Sequence, residues 1–221
     1  MIDLRDRVQN VQARIQRACQ SCGRDPESVE LLPVSKRHPA ALVREMAALG
    51  FGSFGENYVQ EGAAKAEALP DLDFVLIGPL QRNKVKPALL HFQGIMTLDR
   101  PSLAVRLKQM AAELAVTRDI WIQVDLWGEA TKMGGCPPEG IPEILESLGD
   151  DPRLPLRGFM AIPPPEMPQA FAELTRFRSG WEQRLGQKLR LSMGMSDDLE
   201  SAIRAGSDQV RIGTALFGER V

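Results

Sequence analysis

Apolar side chains at Leu4, Val8, Val11, Ile15 and Cys19 recur every three or four positions, painting one stripe along a helix that begins near Asp3. After this leading helix the chain changes rhythm. Short β-rich runs at 29–35, 51–54, 73–77, 94–98, 119–125, 156–162, 189–192 and 208–212 predict strands. Between them, 40–49, 58–69, 82–91, 102–116, 142–148, 169–185 and 197–205 read as helices. Strict alternation implies parallel pairing through right-handed crossovers, and eight such units at this length suit an α/β chain folded as a closed TIM-like (β/α)8 barrel. An open doubly wound sheet is the alternative, but no G-x-G-x-x-G follows the first strand to support it. Pro163, Pro164 and Pro165, with Pro168 just after, predict a rigid loop past strand six rather than a linker, because strand and helix patterns resume on both sides. Residues 1–221 therefore read as a single barrel domain with a leading N-terminal helix.

Composition narrows the class of partner. With 221 residues and 43% hydrophobic positions the chain can bury one large core. Its 27 basic side chains nearly balance 29 acidic ones, a net charge of -2 that advertises neither nucleic acid nor an anionic membrane. The start of the chain lacks an apolar signal core, and no apolar stretch approaches the ~18 residues needed to cross a bilayer. A cytoplasmic protein with a small-molecule partner is the expectation. Cys19 and Cys22 have C-x-x-C spacing, but they end a helical pattern, with Gly23 reading as its cap, and only Cys136, His38 and His91 stand elsewhere to complete a metal shell. Buried or idle thiols are the reading, and the odd count argues against a disulfide framework.

In a barrel, binding and catalytic groups gather where strands end, which singles out Lys36, Asn57, Gly78, Asp125, Ser196, Arg211 and Gly213. Leu32, Val34 and Lys36 share one face of strand one by its period of two. If that face looks inward, the Lys36 amine is partly desolvated and becomes a nucleophile toward an aldehyde; a solvated charge is the plainer alternative. Arg211 alternates with Val210 and Ile212, so its guanidinium is expected inside, paired with a ligand or with an acid such as Asp125 or Glu56. Gly213, Thr214 and Ser196 follow strands eight and seven, where such barrels present donors to an anion; Ser196 also reads as a cap on the next helix. An amine, a fixed cation and an anion cup at one mouth are what pyridoxal phosphate (PLP) needs.

Longer motifs sharpen this. Residues 34–39 (Val-Ser-Lys-Arg-His-Pro), 54–61 (Phe-Gly-Glu-Asn-Tyr-Val-Gln-Glu), 77–84 (Ile-Gly-Pro-Leu-Gln-Arg-Asn-Lys), 158–163, 191–198 and 210–214 together resemble the PLP homeostasis protein family over essentially the whole chain. The resemblance implies a barrel like the N-terminal domain of alanine racemase, with PLP carried as a Schiff base on Lys36. It further implies that Ser196, Gly213 and Thr214 hold the phosphate, that Arg211 faces the pyridine nitrogen, and that Asn57 lies beside the cofactor. Two positions depart from the family pattern: Val75-Leu76-Ile77-Gly78 stands where a His-Phe-Ile-Gly run is common, and Asp125 where asparagine often ends strand five. Both bear on polar contacts to the ring or to an incoming amino acid.

Arginine keeps its proton and can only donate, so a pyridine nitrogen opposite Arg211 stays unprotonated and is a weak electron sink. Racemases of this fold use a second base, a tyrosine from an added domain. Here the single tyrosine, Tyr58, reads as the start of a helix, and no second domain is expected. The function expected is therefore a PLP-binding protein that affects free PLP and the balance of amino and keto acids without efficient turnover. It would act as a monomer, with amino acids or PLP-dependent apoenzymes as candidate partners. A PLP-dependent amino-acid racemase of narrow specificity is the alternative, and a protein-interaction module stabilised by its cofactor a third.

Overall fold

The computed structural model describes residues 3–128, 134–165, 167 and 169–218. A helix α1 (Leu4–Ser21) precedes β1 (Glu30–Pro33), α2 (Ala40–Ala47), β2 (Ser53–Glu56), α3 (Val59–Ala68), β3 (Asp73–Leu76) and α4 (Val85–His91). Then follow β4 (Gly94–Leu98), α5 (Pro101–Leu114), β5 (Asp119–Gln123), α6 (Ile141–Leu148), β6 (Leu156–Met160), α7 (Ala170–Leu185), β7 (Arg190–Ser192), α8 (Leu199–Arg204), β8 (Gln209–Ile212) and a short α9 (Thr214–Phe217).

All eight strands run parallel, in the order β1-β8-β7-β6-β5-β4-β3-β2. The ring closes just past the end of β1, where Val34 bridges Gly55 and the Ser35 N–H donates to the Gly55 carbonyl at 3.0 Å. Closure satisfies the backbone groups that an open sheet would leave at its two edges, and it removes the doubly wound alternative.

Side-chain parity sorts the core into two layers. Leu32, Met96, Trp121 and Met160 fill the barrel, with Val75, Ile77 and Ile162 against them. Their strand neighbours Phe74, Leu76, Ile95, Ile120, Ile122, Phe159, Val210 and Ile212 face the helices, in the larger outer cluster. The apolar stripe of α1 is buried at Val8, Val11, Ile15 and Cys19, and it packs this helix against α8 and α9. The helix ends as the glycine suggested: Gly23 takes φ 68°, and the Arg24 N–H returns to the Cys19 carbonyl at 3.0 Å, a left-handed cap that satisfies an orphan carbonyl.

Some boundaries differ from the sequence pattern. The second strand is Ser53–Glu56 rather than 51–54, because its register pairs Ser53 with Asp73 and carries Glu56 into the sheet beside Leu76. The helix expected at 82–91 opens with a 3-10 turn, Arg82–Lys84. Tyr58 is the N-cap of α3 rather than a helical residue. Strands one, five and six each stop two residues short of the apolar runs that marked them. The loop past β6 follows Pro163, Pro164 and Pro165 without regular structure, while Pro168 lies outside the described residues.

Candidate functional site

At the C-terminal mouth of the barrel lies a cavity of about 500 Å³. Lys36, Asn57, Ser196, Arg211, Gly213 and Thr214 all line it although they span residues 36 to 214, whereas Gly78 and Asp125, also singled out as strand ends, are not among its lining residues. Val34, Ile77 and Ile162 add apolar wall, and Arg14 of α1 and Asp197 add charge.

Lys36 sits on a tightly specified turn. Val34 is held by the Ile212 carbonyl at 2.8 Å, and the His38 N–H returns to the Ser35 carbonyl at 3.1 Å. Between these bonds Arg37 takes φ 62°, a left-handed conformation that an L side chain adopts at a cost of about 1–2 kcal/mol. A buried polar cluster behind the turn holds it. The Ser35 hydroxyl donates to Glu56 Oε1 at 2.6 Å, and Lys65 Nζ donates to the Ser35 carbonyl at 2.6 Å, to Glu56 at 2.5 Å and to Glu61 at 2.8 Å. Glu61 in turn accepts from the Arg37 N–H. Burial pushes the Glu56 carboxyl above its ordinary range, and Lys65 pulls it back down. The acid of the Gly-Glu-Asn motif is thus the partner of Lys65 and not of Arg211.

Arg211 instead donates from Nη1 to the Ser192 hydroxyl at 2.8 Å and from Nη2 to the Ala161 carbonyl at 2.9 Å. Ser192 passes its own proton on to Gln209 Oε1 at 2.8 Å. Neutral acceptors fix the guanidinium in the barrel without cancelling its charge. Desolvation lowers its pKa to about 10, which leaves it protonated near neutrality. The other acid considered for Arg211, Asp125, turns to its own loop, accepting from the Trp127 and Gly128 N–H groups at 3.0 and 3.1 Å.

Ser196 does not cap α8: the N-cap there is Asp198, whose carboxylate accepts from the Met195 N–H at 2.5 Å. The Ser196 hydroxyl accepts instead from the Ala215 N–H at 3.4 Å, tying the loop after β7 to the first turn of α9. The two loops expected from the sequence to form an anion cup are thereby joined. Asn57 lies opposite, with its buried Oδ1 lacking a hydrogen-bond partner. Gly78 packs against it so closely that an added Cβ would lie 2.1 Å from the Asn57 carbonyl oxygen.

Tyr58 is 46% exposed, accepts from Arg37 at 3.2 Å and does not line the cavity. Cys19 and Cys136 are buried thiols raised by desolvation, Cys136 to about 11, and Cys22 is exposed. Two neighbours of these positions were not foreseen. Arg14 is separated from the strand ends by sequence and was hidden beside the apolar stripe of α1. Lys65 carried a visible signal, its i,i+4 spacing from Glu61.

Residues 7–221 match the family described as "Alanine racemase, N-terminal domain", so the fold and the mouth cavity define a barrel of that class. The alanine racemase of Clostridium difficile shares the fold, with a TM-score of 0.76 at 14% identity over 98% of this chain and 56% of that one. More similar is the pyridoxal phosphate homeostasis protein of Pseudomonas aeruginosa, 45% identical over 100% of this chain and 97% of that protein. PipY of Synechococcus elongatus, in its structure with PLP bound, has a TM-score of 0.81 at 37% identity, covering 93% of this chain and 100% of that one. The chain belongs to the pyridoxal phosphate homeostasis protein family.

Proposed function

We propose that this protein binds pyridoxal 5'-phosphate reversibly at the mouth cavity, with Lys36 as its covalent partner, and so serves intracellular PLP homeostasis and amino-acid and keto-acid balance without efficient turnover. The observation that carries the reading is the meeting of Lys36 from the end of β1 and Arg211 from the adjacent β8 in one cavity with the Ser196, Gly213 and Thr214 loops. The relatives named for PLP homeostasis, and PipY with PLP bound, support it.

The donor set fits such a cofactor on chemical grounds. A planar heteroaromatic ring suits the apolar wall of Val34, Ile77 and Ile162, and an anion suits the hydroxyls of Ser196 and Thr214. A ring nitrogen that accepts suits Arg211. The unpartnered Asn57 amide oxygen is a buried polar atom whose desolvation, about 1–3 kcal/mol, a ligand or water would offset. When bound, PLP supplies an aldehyde that condenses with amines and, in suitable sites, an electron sink.

The chain's own residues argue for holding the cofactor rather than turning substrates over. Arg211 keeps its proton and offers only donors, which disfavours the protonated ring nitrogen that extensive carbanion chemistry uses. Racemisation also wants a base on the face opposite the lysine, and Tyr58 points its hydroxyl to Arg37 at the surface. At the two departures from the family pattern, Val75 packs against the apolar interior of the barrel, and Asp125 is engaged by its own loop. No helix among the described residues is long and apolar enough to cross a membrane. The reading is of one binding domain acting as a cytoplasmic monomer, with amino acids or PLP-dependent apoenzymes as its further partners; light scattering at a dimeric mass would contradict the monomer.

Absorption spectra of the purified protein before and after borohydride, followed by mass mapping, test this directly. A visible band that bleaches, with the pyridoxyl mass on Lys36 and none in Lys36→Ala, is the expected result. A colourless protein that also refuses added PLP would overturn the reading. Solvent deuterium entering Cα of one amino acid at ordinary enzymatic rates, and lost in Lys36→Ala, would favour the racemase instead.

A further inference from the structure

Three cations line the mouth cavity, and two of them already have roles. Lys36 is the amine on the turn after β1, and Arg211 is fixed deep in the barrel by Ser192 and Ala161. The third is Arg14, which enters from α1, outside the eight βα units. Its Nε and Nη2 clasp both oxygens of Glu200 at 2.6 and 2.8 Å, with the two side chains about a third exposed. A guanidinium carries five N–H donors, so this two-point clasp leaves Nη1 with its two N–H groups. Nη1 makes no hydrogen bond to a described residue.

The cup itself is poor in positive charge. Ser196 and Thr214 contribute neutral hydroxyls, and Asp197, also lining the cavity, brings a carboxylate beside the place where a phosphate would add further negative charge. Glu200 and Asp198 stand on the same loop and helix start. A phosphate monoester carries close to two negative charges at neutral pH, and a carboxylate-rich rim would repel it unless a cation intervenes. Arg14 is the lining cation that remains. Its helix packs on α8 and α9, the two elements that follow the Ser196 and Thr214 loops, and the Glu200 clasp fixes its orientation.

We infer that Arg14 is a phosphate-specificity residue: it selects the 5'-phosphorylated vitamer over the unphosphorylated one, and the Glu200 carboxylate positions it. This rests on the reading of the cavity as a PLP site. It makes the leading helix part of the site.

Equilibrium titrations with PLP and with pyridoxal, compared within each variant, test it. Arg14→Gln is expected to weaken PLP by about tenfold to a hundredfold, the value of one charge-assisted contact, while pyridoxal changes by less than about threefold. Arg14→Lys, which keeps the charge but loses the fork, should retain part of the selectivity. Glu200→Gln breaks the same α1–α8 ion pair and loosens Arg14 without removing its charge, and should keep a preference for PLP that is smaller than the wild type's but larger than that of Arg14→Gln. Equal weakening of both ligands by Arg14→Gln, no weakening of either, or a Glu200→Gln variant that loses selectivity as fully as Arg14→Gln would reduce Arg14 to a structural ion pair and overturn the inference. Intact PLP uptake on Lys36 in those same variants would leave the cavity reading standing; a wild-type protein that takes up neither ligand would remove both.

Discussion

Lys65→Met is the sharpest probe of the cluster behind the Lys36 turn. The lysine and Glu56 are 5% and 0% exposed, and the ammonium serves Glu56, Glu61 and the Ser35 carbonyl together. Methionine keeps most of the volume but leaves Glu56 charged and buried with only the Ser35 hydroxyl as a donor, and its Oε2 already lacks a partner. Removing one member of a buried pair costs about 3–5 kcal/mol. For a chain of this size that is a fall of roughly 6–20 °C in melting temperature.

The sign of the pH dependence follows from Glu56. Burial raises its carboxyl above the ordinary value of 4.5, and Lys65 is the main influence lowering it. Without Lys65 the folded protein holds that proton to higher pH than the unfolded chain does. Stability is then fully present below the unfolded pKa and is lost as pH rises through the folded one. Urea denaturation followed by circular dichroism at pH 5 and pH 8 should show the larger loss at pH 8. A companion double variant, Lys65→Met with Glu56→Gln, should recover part of it, because the uncompensated charge is gone. A loss below about 1 kcal/mol at pH 8, or equal losses at both pH values, would refute the view that a buried ion pair holds this turn.

Other outcomes follow from the same geometry. Gly78→Ala drives a Cβ against the Asn57 carbonyl, so both thermal stability and PLP uptake in an absorbance titration should fall, stability by about 1–3 kcal/mol; unchanged values would mean the two loops separate freely. Ser192→Ala removes the acceptor for Arg211 Nη1 and the donor to Gln209, and should weaken PLP by roughly fivefold, near 1 kcal/mol, while the pyridoxyl mass still maps to Lys36. Alkylation at pH 8 read by mass spectrometry should label Cys22 in the native protein, and Cys19 and Cys136 only after unfolding, since burial both covers these thiols and suppresses their thiolates. Gly23→Ala meets no atom within 4 Å but must hold a left-handed φ, so it should cost about 1 kcal/mol with PLP uptake unchanged.

Local periodicity was enough to read the eight alternating units, the leading helix and which residues of β1 and β8 share a face. These depend on the two-residue repeat of a strand and the 3.6-residue repeat of a helix, which any short window displays. Strand-end position then picked out Lys36, Asn57, Ser196, Arg211 and Gly213, with Thr214 beside it, because a parallel barrel sends every such end to one mouth; it also picked out Gly78 and Asp125, which are not among the lining residues. The family motifs gave them roles, which the proposed experiments now test. What a window cannot display is which polar group meets which. Closure brings Lys36, on the turn after β1, and Arg211 of β8 into one cavity across 175 positions, assigns Glu56 to Lys65 instead of Arg211, and turns Ser196 from a cap on α8 to a partner of Ala215. The four-residue α9 is too short to carry a period, and Arg14 looks like solvated charge until α1 is docked on α8. Partner choice among charges is settled by desolvation and distance, and both exist only once the ring of strands is closed.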